Sequence, residues 1–158
     1  MNVNVICIGK LKEKYWEDAI KEYSKRLGSF CQVKIVELKE AKLPKNASPA
    51  DEQNVILKEG EEILAKISDG DYVIALEVEG KLLGSEELAR EIELAAFNHS
   101  TIDFVIGGSL GLSADVKRRA NLGFSMGRIT LPHQLARVVL LEQIYRSYKI
   151  INGETYHK

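Results

Sequence analysis

Residues 102–126, IDFVIGGSLGLSADVKRRANLGFSM, decide the fold. Ile102–Ile106 is a short apolar run of the length of a buried strand. Gly107-Gly108-Ser109-Leu110-Gly111 follows at once, and such a glycine run ends a strand in a turn. Ser113 can cap a short helix through Arg119, and Gly123–Met126 reads as a brief further strand. Strand, glycine turn, helix and strand in so little chain describe one parallel crossover.

The same alternation extends outward in both directions. Upstream, Tyr72–Leu76 (YVIAL) is an apolar strand and Gly80 marks a turn. Ser85 suits a helix N-cap, with Glu86 and Glu87 in the first turn and Leu88, Ile92, Ala95 and Ala96 on the buried side. Further back, Val3–Ile8 is a strand, Tyr15–Leu27 a helix and Val33–Leu38 a second strand. Residues 39–50, polar with Pro44 and Pro49, form a loop before a helix from Asp51 to Ile67. Gly60 inside that helix costs roughly 1 kcal/mol relative to alanine, so it marks close packing or a bend. Downstream, Pro132 opens a long helix that ends at Ile151. The expectation is an α/β fold, a mostly parallel sheet with helices on both faces, in one domain over residues 1–158. The last helix carries Val138, Val139, Leu140, Leu141, Ile144, Tyr145 and Tyr148, and is apolar around most of its circumference. In so small a domain this favours an interface between two copies over a central position.

Bulk properties narrow the function. A net charge of −1 argues against a general nucleic-acid coat protein. Between Lys117 and Lys158, eight basic residues stand against Glu142 and Glu154, so this segment is +6 and residues 1–116 carry −7. The split suggests a face for an anion, or an ordinary solvated helix surface. Cys7 and Cys31 have no metal or redox spacing and read as buried thiols. The N-terminus lacks a basic leader and no apolar run approaches membrane-spanning length, so a cytoplasmic protein without a membrane partner is expected.

Three stretches can carry chemistry. The first is the glycine run 107–111, because ligands in such folds lie beyond the carboxyl ends of strands. It is neither a Rossmann fingerprint nor a phosphate loop: Gly9-Lys10 and Gly80-Lys81 are each followed by leucine where serine or threonine is needed. The second is Met126-Gly-Arg-Ile-Thr-Leu131, an apolar loop running into a helix start with His133 in the first turn and Arg137 four residues on. The third is the tail, Tyr156-His157-Lys158, a stacking ring, an imidazole and a cation; from chemistry alone such a terminus reads as frayed. Glu77 and Glu79 alternate after a strand and could meet ribose hydroxyls, although two solvated carboxylates are the plainer reading. No metal-binding spacing occurs.

Together the blocks VNVICIGKLKEKYW, ALEVEGK (75–81), FVIGGSLGL (104–112), ITLPHQLARVVLLEQIYRSYKI (129–150) and the ending YHK resemble the RlmH-type SPOUT methyltransferases along essentially the whole chain. The resemblance implies a C-terminal trefoil knot, against the general rule that chains avoid knots. It implies S-adenosylmethionine as methyl donor, a homodimer, and as substrate N3 of a pseudouridine in 23S ribosomal RNA on assembled ribosomes. Carried over by position, Leu76, Gly107, Met126, Gly127, Arg128, Ile129, Thr130 and Leu131 match donor contacts, with Gly108 adjacent. His133, Arg137 and His157 match the active centre, and Arg146, Tyr156 and Lys158 are assigned to substrate. Either His133 or His157 could act as base, and so could water. A non-catalytic ribosome-docking protein and a small-molecule methyltransferase are the rival readings.

Overall fold

Strands and helices alternate strictly in the computed structural model, which describes residues Met1–Lys158. The order is β1 (Asn2–Ile8), α1 (Lys14–Leu27), β2 (Gln32–Leu38), α2 (Pro49–Leu64), β3 (Tyr72–Leu82), α3 (Ser85–Asn98), β4 (Thr101–Ile106), α4 (Ala114–Arg119), β5 (Leu122–Ser125) and α5 (His133–Ile151). The five strands form one sheet in the order β2-β1-β4-β3-β5, and every neighbouring pair is parallel. The α/β expectation, with helices on both faces, is met. Because strand residues alternate sides, Val3, Val5, Cys7, Ile102, Phe104 and Ile106 meet α1, α3 and α5 on one face. Ile6, Ile8, Val73, Ala75 and Val105 meet α2 and α4 on the other.

Several local readings shift. β3 does not stop at Leu76 but continues to Leu82, and Gly80 lies within it rather than in a turn. Phe124 of β5 is in register with both Leu76 and Lys81, so residues 77–80 bulge out of the ladder. A Cβ on Gly80 would lie 2.7 Å from the Gly123 carbonyl carbon, so the glycine is required by backbone crossing backbone. α2 starts earlier than Asp51: Ser48 is the N-cap, its Oγ accepting the Asp51 N–H, and Pro49 is the first helical residue. Ser85 is not a cap. Gly84 holds that position, its N–H donated to the Glu87 carboxylate at 2.7 Å, and the Ser85 hydroxyl bonds Gln143 of α5 at 2.6 Å instead. Ala96 is exposed and Ala89 takes its place in the core. Gly60 marks close packing, since a Cβ there would sit 2.3 Å from Ser113 Oγ, the cap of α4.

α5 is packed on two sides. It lies between α1 and α3 and buries Ala136, Leu140, Leu141 and Ile144 within its own chain. α1 and α3 cover two of its sides, while Leu135, Val139 and Ile150 remain partly exposed, so the helix is central on one side and leaves apolar surface on another. Cys7 and Cys31 are buried free thiols, and burial pushes Cys7 up to about 11, which keeps it protonated and inert.

Asp103 is the one acid buried inside the sheet, at 0% exposure. Asn4 Nδ2 donates to its Oδ1 at 2.7 Å, while its Oδ2 has no donor and faces Asp71 near Arg119. Burial first, then Asp71, raises it to about 6, against the pull of Asn4 and Arg119. A proton on Oδ2 donated to Asp71 accounts for the orphaned oxygen. A carboxyl raised in the folded state adds stability fully below its unfolded pKa and loses it as pH rises through about 6. Asp103→Asn keeps both hydrogen bonds without the proton. It should stabilise the fold by roughly 1–3 kcal/mol at pH 8 and by nothing below pH ~4, read from urea melts across pH. A variant less stable than the parent at pH 8 would overturn this account.

Candidate active site

Beyond the carboxyl ends of β4, β3 and β5 lies a cavity of about 670 Å³, in the size range of small-molecule sites. Three loops line it: Leu76–Glu79 from the β3 bulge, Gly107–Leu112 after β4, and Ser125–Leu131 between β5 and α5. Leu76, Ile106, Phe124, Met126 and Leu131 supply apolar wall. His133 stands exposed at the rim as the first residue of α5.

Local backbone chemistry shapes each loop. Gly108-Ser109-Leu110-Gly111 closes as a turn, with the Gly111 N–H donated to the Gly108 carbonyl at 3.1 Å and Gly111 in the left-handed region at φ +84°. Gly107 is buried, and a Cβ there would lie 2.8 Å from Leu112 Cδ2 and 3.1 Å from the Gly111 backbone. Gly127, at φ +124°, turns the third loop in a conformation that favours glycine. The buried Ser125 ties two loops together: its hydroxyl donates to the Val78 carbonyl at 3.0 Å and accepts the Gly127 N–H at 3.2 Å. The glycines leave a narrow cradle with apolar sides and backbone polar groups, which suits a flat heteroaromatic ring on a polar stem.

Of the residues singled out in the sequence, Leu76, Gly107, Gly108, Met126, Gly127, Ile129, Thr130, Leu131 and His133 line this cavity. Arg128 is exposed in the third loop but does not line it. Ser109, inside the glycine run, lines it too; sequence reasoning missed Lys117, Phe124 and Ser125, and set aside Glu77 and Glu79, all of which do. The signal was the alternation through residue 79, which continues the strand.

Arg137 is placed otherwise. It is 2% exposed and does not line the cavity. Its Nη1 donates to Glu37 Oε2 at 2.7 Å and its Nη2 to the Gly9 carbonyl at 3.2 Å, while Nε has no partner. Glu37 also accepts the Leu11 N–H at 3.1 Å, so Arg137 clamps the loop after β1 against the end of β2. Arg137→Ala should cost about 2–4 kcal/mol, less than a fully buried pair because Glu37 keeps some solvent, measured by urea denaturation. A loss under about 0.5 kcal/mol would show that the clamp is not structural.

The tail is not frayed. Tyr156 Oη donates to Glu142 at 3.1 Å, and the Arg146 guanidinium lies 4.7 Å from the Tyr156 ring centroid. Arg146 also pairs with Glu142 at 2.6 Å and approaches His157 Nδ1 at 3.3 Å. Burial, then Glu142, raises the Tyr156 phenol and keeps it protonated. Lys158 is exposed. This cluster is thirteen residues along α5 from His133, about 20 Å at 1.5 Å per residue. Within one chain, the tail and the cavity are thus apart.

The family model described as "Predicted SPOUT methyltransferase" matches residues 1–157. Relatives named "Ribosomal RNA large subunit methyltransferase H" are 57% identical in Ligilactobacillus salivarius (strain UCC118) and 56% identical in Clostridium novyi (strain NT), each covering all of both chains. Among solved structures, a probable methylase family protein from Haemophilus influenzae Rd KW20 superposes with a TM-score of 0.56 over 99% of this chain and 70% of its own, at 13% identity, a likeness of fold alone. With residues 1–157 inside the family model and relatives matching along the whole chain, this protein belongs to the SPOUT methyltransferase family.

Proposed function

We propose that the chain transfers a methyl group from S-adenosylmethionine to N3 of a pseudouridine in 23S ribosomal RNA, acting as a homodimer on assembled ribosomes in the cytoplasm. The observation that carries this reading is the three-loop cavity, whose glycine cradle and apolar walls fit a nucleoside-bearing donor. The relatives' names support the RNA as acceptor. Bound in the cavity, S-adenosylmethionine would supply an activated methyl on a sulfonium.

What remains for the protein is placement and one proton. Leu76, Gly107, Gly108 and the loop 126–131 would hold the donor, and Glu77 and Glu79 stand where ribose hydroxyls could be met. Holding both reactants in line supplies roughly 7–11 kcal/mol of the barrier. N3 loses its proton as the new N–C bond forms and the S–C bond breaks. An imidazole accepts that proton: His133 at the rim, or His157 of the tail. Because the tail lies some 20 Å from its own cavity, a homodimer that apposes one protomer's tail to the other's cavity completes the site. Exposed apolar residues beside the cavity, Ile129 at 84% and Val78 at 74%, support an interface there. In that arrangement Arg146, Tyr156 and Lys158 meet the substrate. Arg137, clamped to Glu37, serves as a positioning residue.

The test is incubation with methyl-labelled donor and ribosomes from cells lacking the enzyme, followed by mapping of the label. Label at one pseudouridine of the large-subunit RNA is the expected result. Donor binding without transfer would leave a docking protein, and transfer without ribosomes would leave a small-molecule enzyme.

A further inference from the structure

The carboxyl edge of the sheet does not end at the donor cavity. β1 lies beside β4 and β2 beside β1, so their loops leave the same edge in sequence, each about 4.8 Å further out. The loop after β1 and the first residue of α1 carry Lys10, Lys12 and Lys14 against Glu13, and the loop after β2 carries Lys39, Lys42 and Lys45 against Glu40. All six lysines are exposed, and none is in an ion pair. Glu37, the acid between the loops, is neutralised by Arg137. The edge therefore carries a local +4 inside the acidic part of the chain.

The basic C-terminal segment is partly paired. Arg118 pairs with Asp115, Arg137 with Glu37, Arg146 with Glu142 and Lys149 with Glu154. Arg119 donates to the carbonyls of Ser68 and Asp71. Asp115 and Glu37 remove two of the +6 that the sequence suggested for an anion, and Lys117, Arg119, Arg128 and Lys158 keep the rest. Free cationic charge begins at Lys117 in the cavity lining and Arg128 in the third loop, and the β1 and β2 loops add to it further along the edge.

Two features make that edge a prepared surface. The Arg137–Glu37 clamp, with the Gly9 N–H donated to the Leu38 carbonyl at 2.8 Å, fixes the first loop to the second strand, so less order is lost on binding. A second cavity of about 550 Å³ opens between the β2 loop and α2, lined by Lys39, Lys42 and Lys58. Its lining also holds Glu40, Asp51, Glu59 and Glu62, four acids against three lysines, so an anion would be met only on the exposed face of the loop. Glu59 separates this cavity from the donor cavity: its Oε1 lies 2.7 Å from where a Cβ on Gly108 would stand, and Ile8 completes the partition. The two cavities share a wall.

We infer that the loops after β1 and β2 form a cradle for the phosphodiester backbone of RNA, which it leads to the donor cavity. The inference rests on the RNA substrate proposed above and adds the surface that holds it. Lysines as point charges suit phosphates without reading sequence, as a substrate selected by its shape in a ribosome requires.

The test is the quadruple variant Lys10→Gln, Lys12→Gln, Lys39→Gln, Lys42→Gln in the full chain. Methyl transfer is followed against ribosome concentration at several salt concentrations. KM for ribosomes should rise at least about tenfold, with kcat within about threefold and donor affinity by calorimetry unchanged. The dependence of log kcat/KM on log salt should flatten by about 0.7 per lost phosphate contact, near 3 for four. A control variant, Lys21→Gln, Lys25→Gln, Lys34→Gln, Lys66→Gln, removes the same charge elsewhere on the surface and should leave KM unchanged. Equal KM in parent and cradle variant, or an equal rise in the control, overturns the cradle. Should the parent transfer no methyl to ribosomes, the proposed reaction fails by itself. Co-sedimentation with ribosomes then decides the cradle: loss confined to the cradle variant supports it, and equal sedimentation overturns it.

Discussion

A chain ending at Thr155 is expected to lose methyl transfer to ribosomes by about 10²–10⁴-fold, the range for removing a proton acceptor together with substrate contacts. Donor affinity should be unchanged, because Tyr156, His157 and Lys158 do not line the donor cavity. Stability should fall by no more than about 1 kcal/mol, since the tail's bonds to Glu142 and Arg146 are only partly shielded from water. Unfolding curves, calorimetry and single-turnover rates on the same preparation separate these effects. A second measurement locates the tail's action. Mixing the truncated chain with full-length chain that carries Gly107→Leu, which fills the donor cradle, should restore activity if tail and cavity come from different protomers. Unchanged turnover after truncation would remove the tail from the reaction. Lost turnover without complementation would place its action within one chain.

Gly80→Ala carries the largest expected effect on the fold. Its Cβ would lie 2.7 Å from Gly123 C, 2.8 Å from Gly123 O and 2.8 Å from Phe124 N. All three are backbone atoms, so no side chain can swing aside and β3 and β5 must separate. The cost is expected at about 2–4 kcal/mol, a fall in Tm of roughly 4–16 °C for a chain of this size. Donor affinity should fall at least tenfold, because Leu76, Phe124 and the bulge 77–79 wall the cavity. Gly123→Ala is the informative contrast. Its Cβ would meet Glu77 Oε2 at 2.2 Å, the far end of a flexible side chain that can turn away. A smaller stability loss is expected there, with altered donor binding through Glu77. Equal losses in the two variants would refute the distinction between backbone and side-chain crowding.

Much of this protein is local and so was legible in the sequence. Apolar runs of strand length, helical spacing and glycine turns are short-range signals, and they placed all ten elements and the cavity loops 107–111 and 126–131. The family likeness rested on blocks contiguous in sequence. Only the tertiary structure could decide which charges are free, because an ion pair joins residues without regard to distance along the chain. Arg137 and Glu37 are 100 residues apart, and their pairing turns an expected active-centre cation into a clamp. The same accounting pairs Arg118 with Asp115 and Arg137 with Glu37, and leaves the lysines after β1 and β2 without an acidic partner. Gly80 reads as a turn until Gly123 is found against it, 43 positions on. Sequence fixes propensity residue by residue; solvation and contact, which settle what a charge or an apolar face does, are properties of the packed chain.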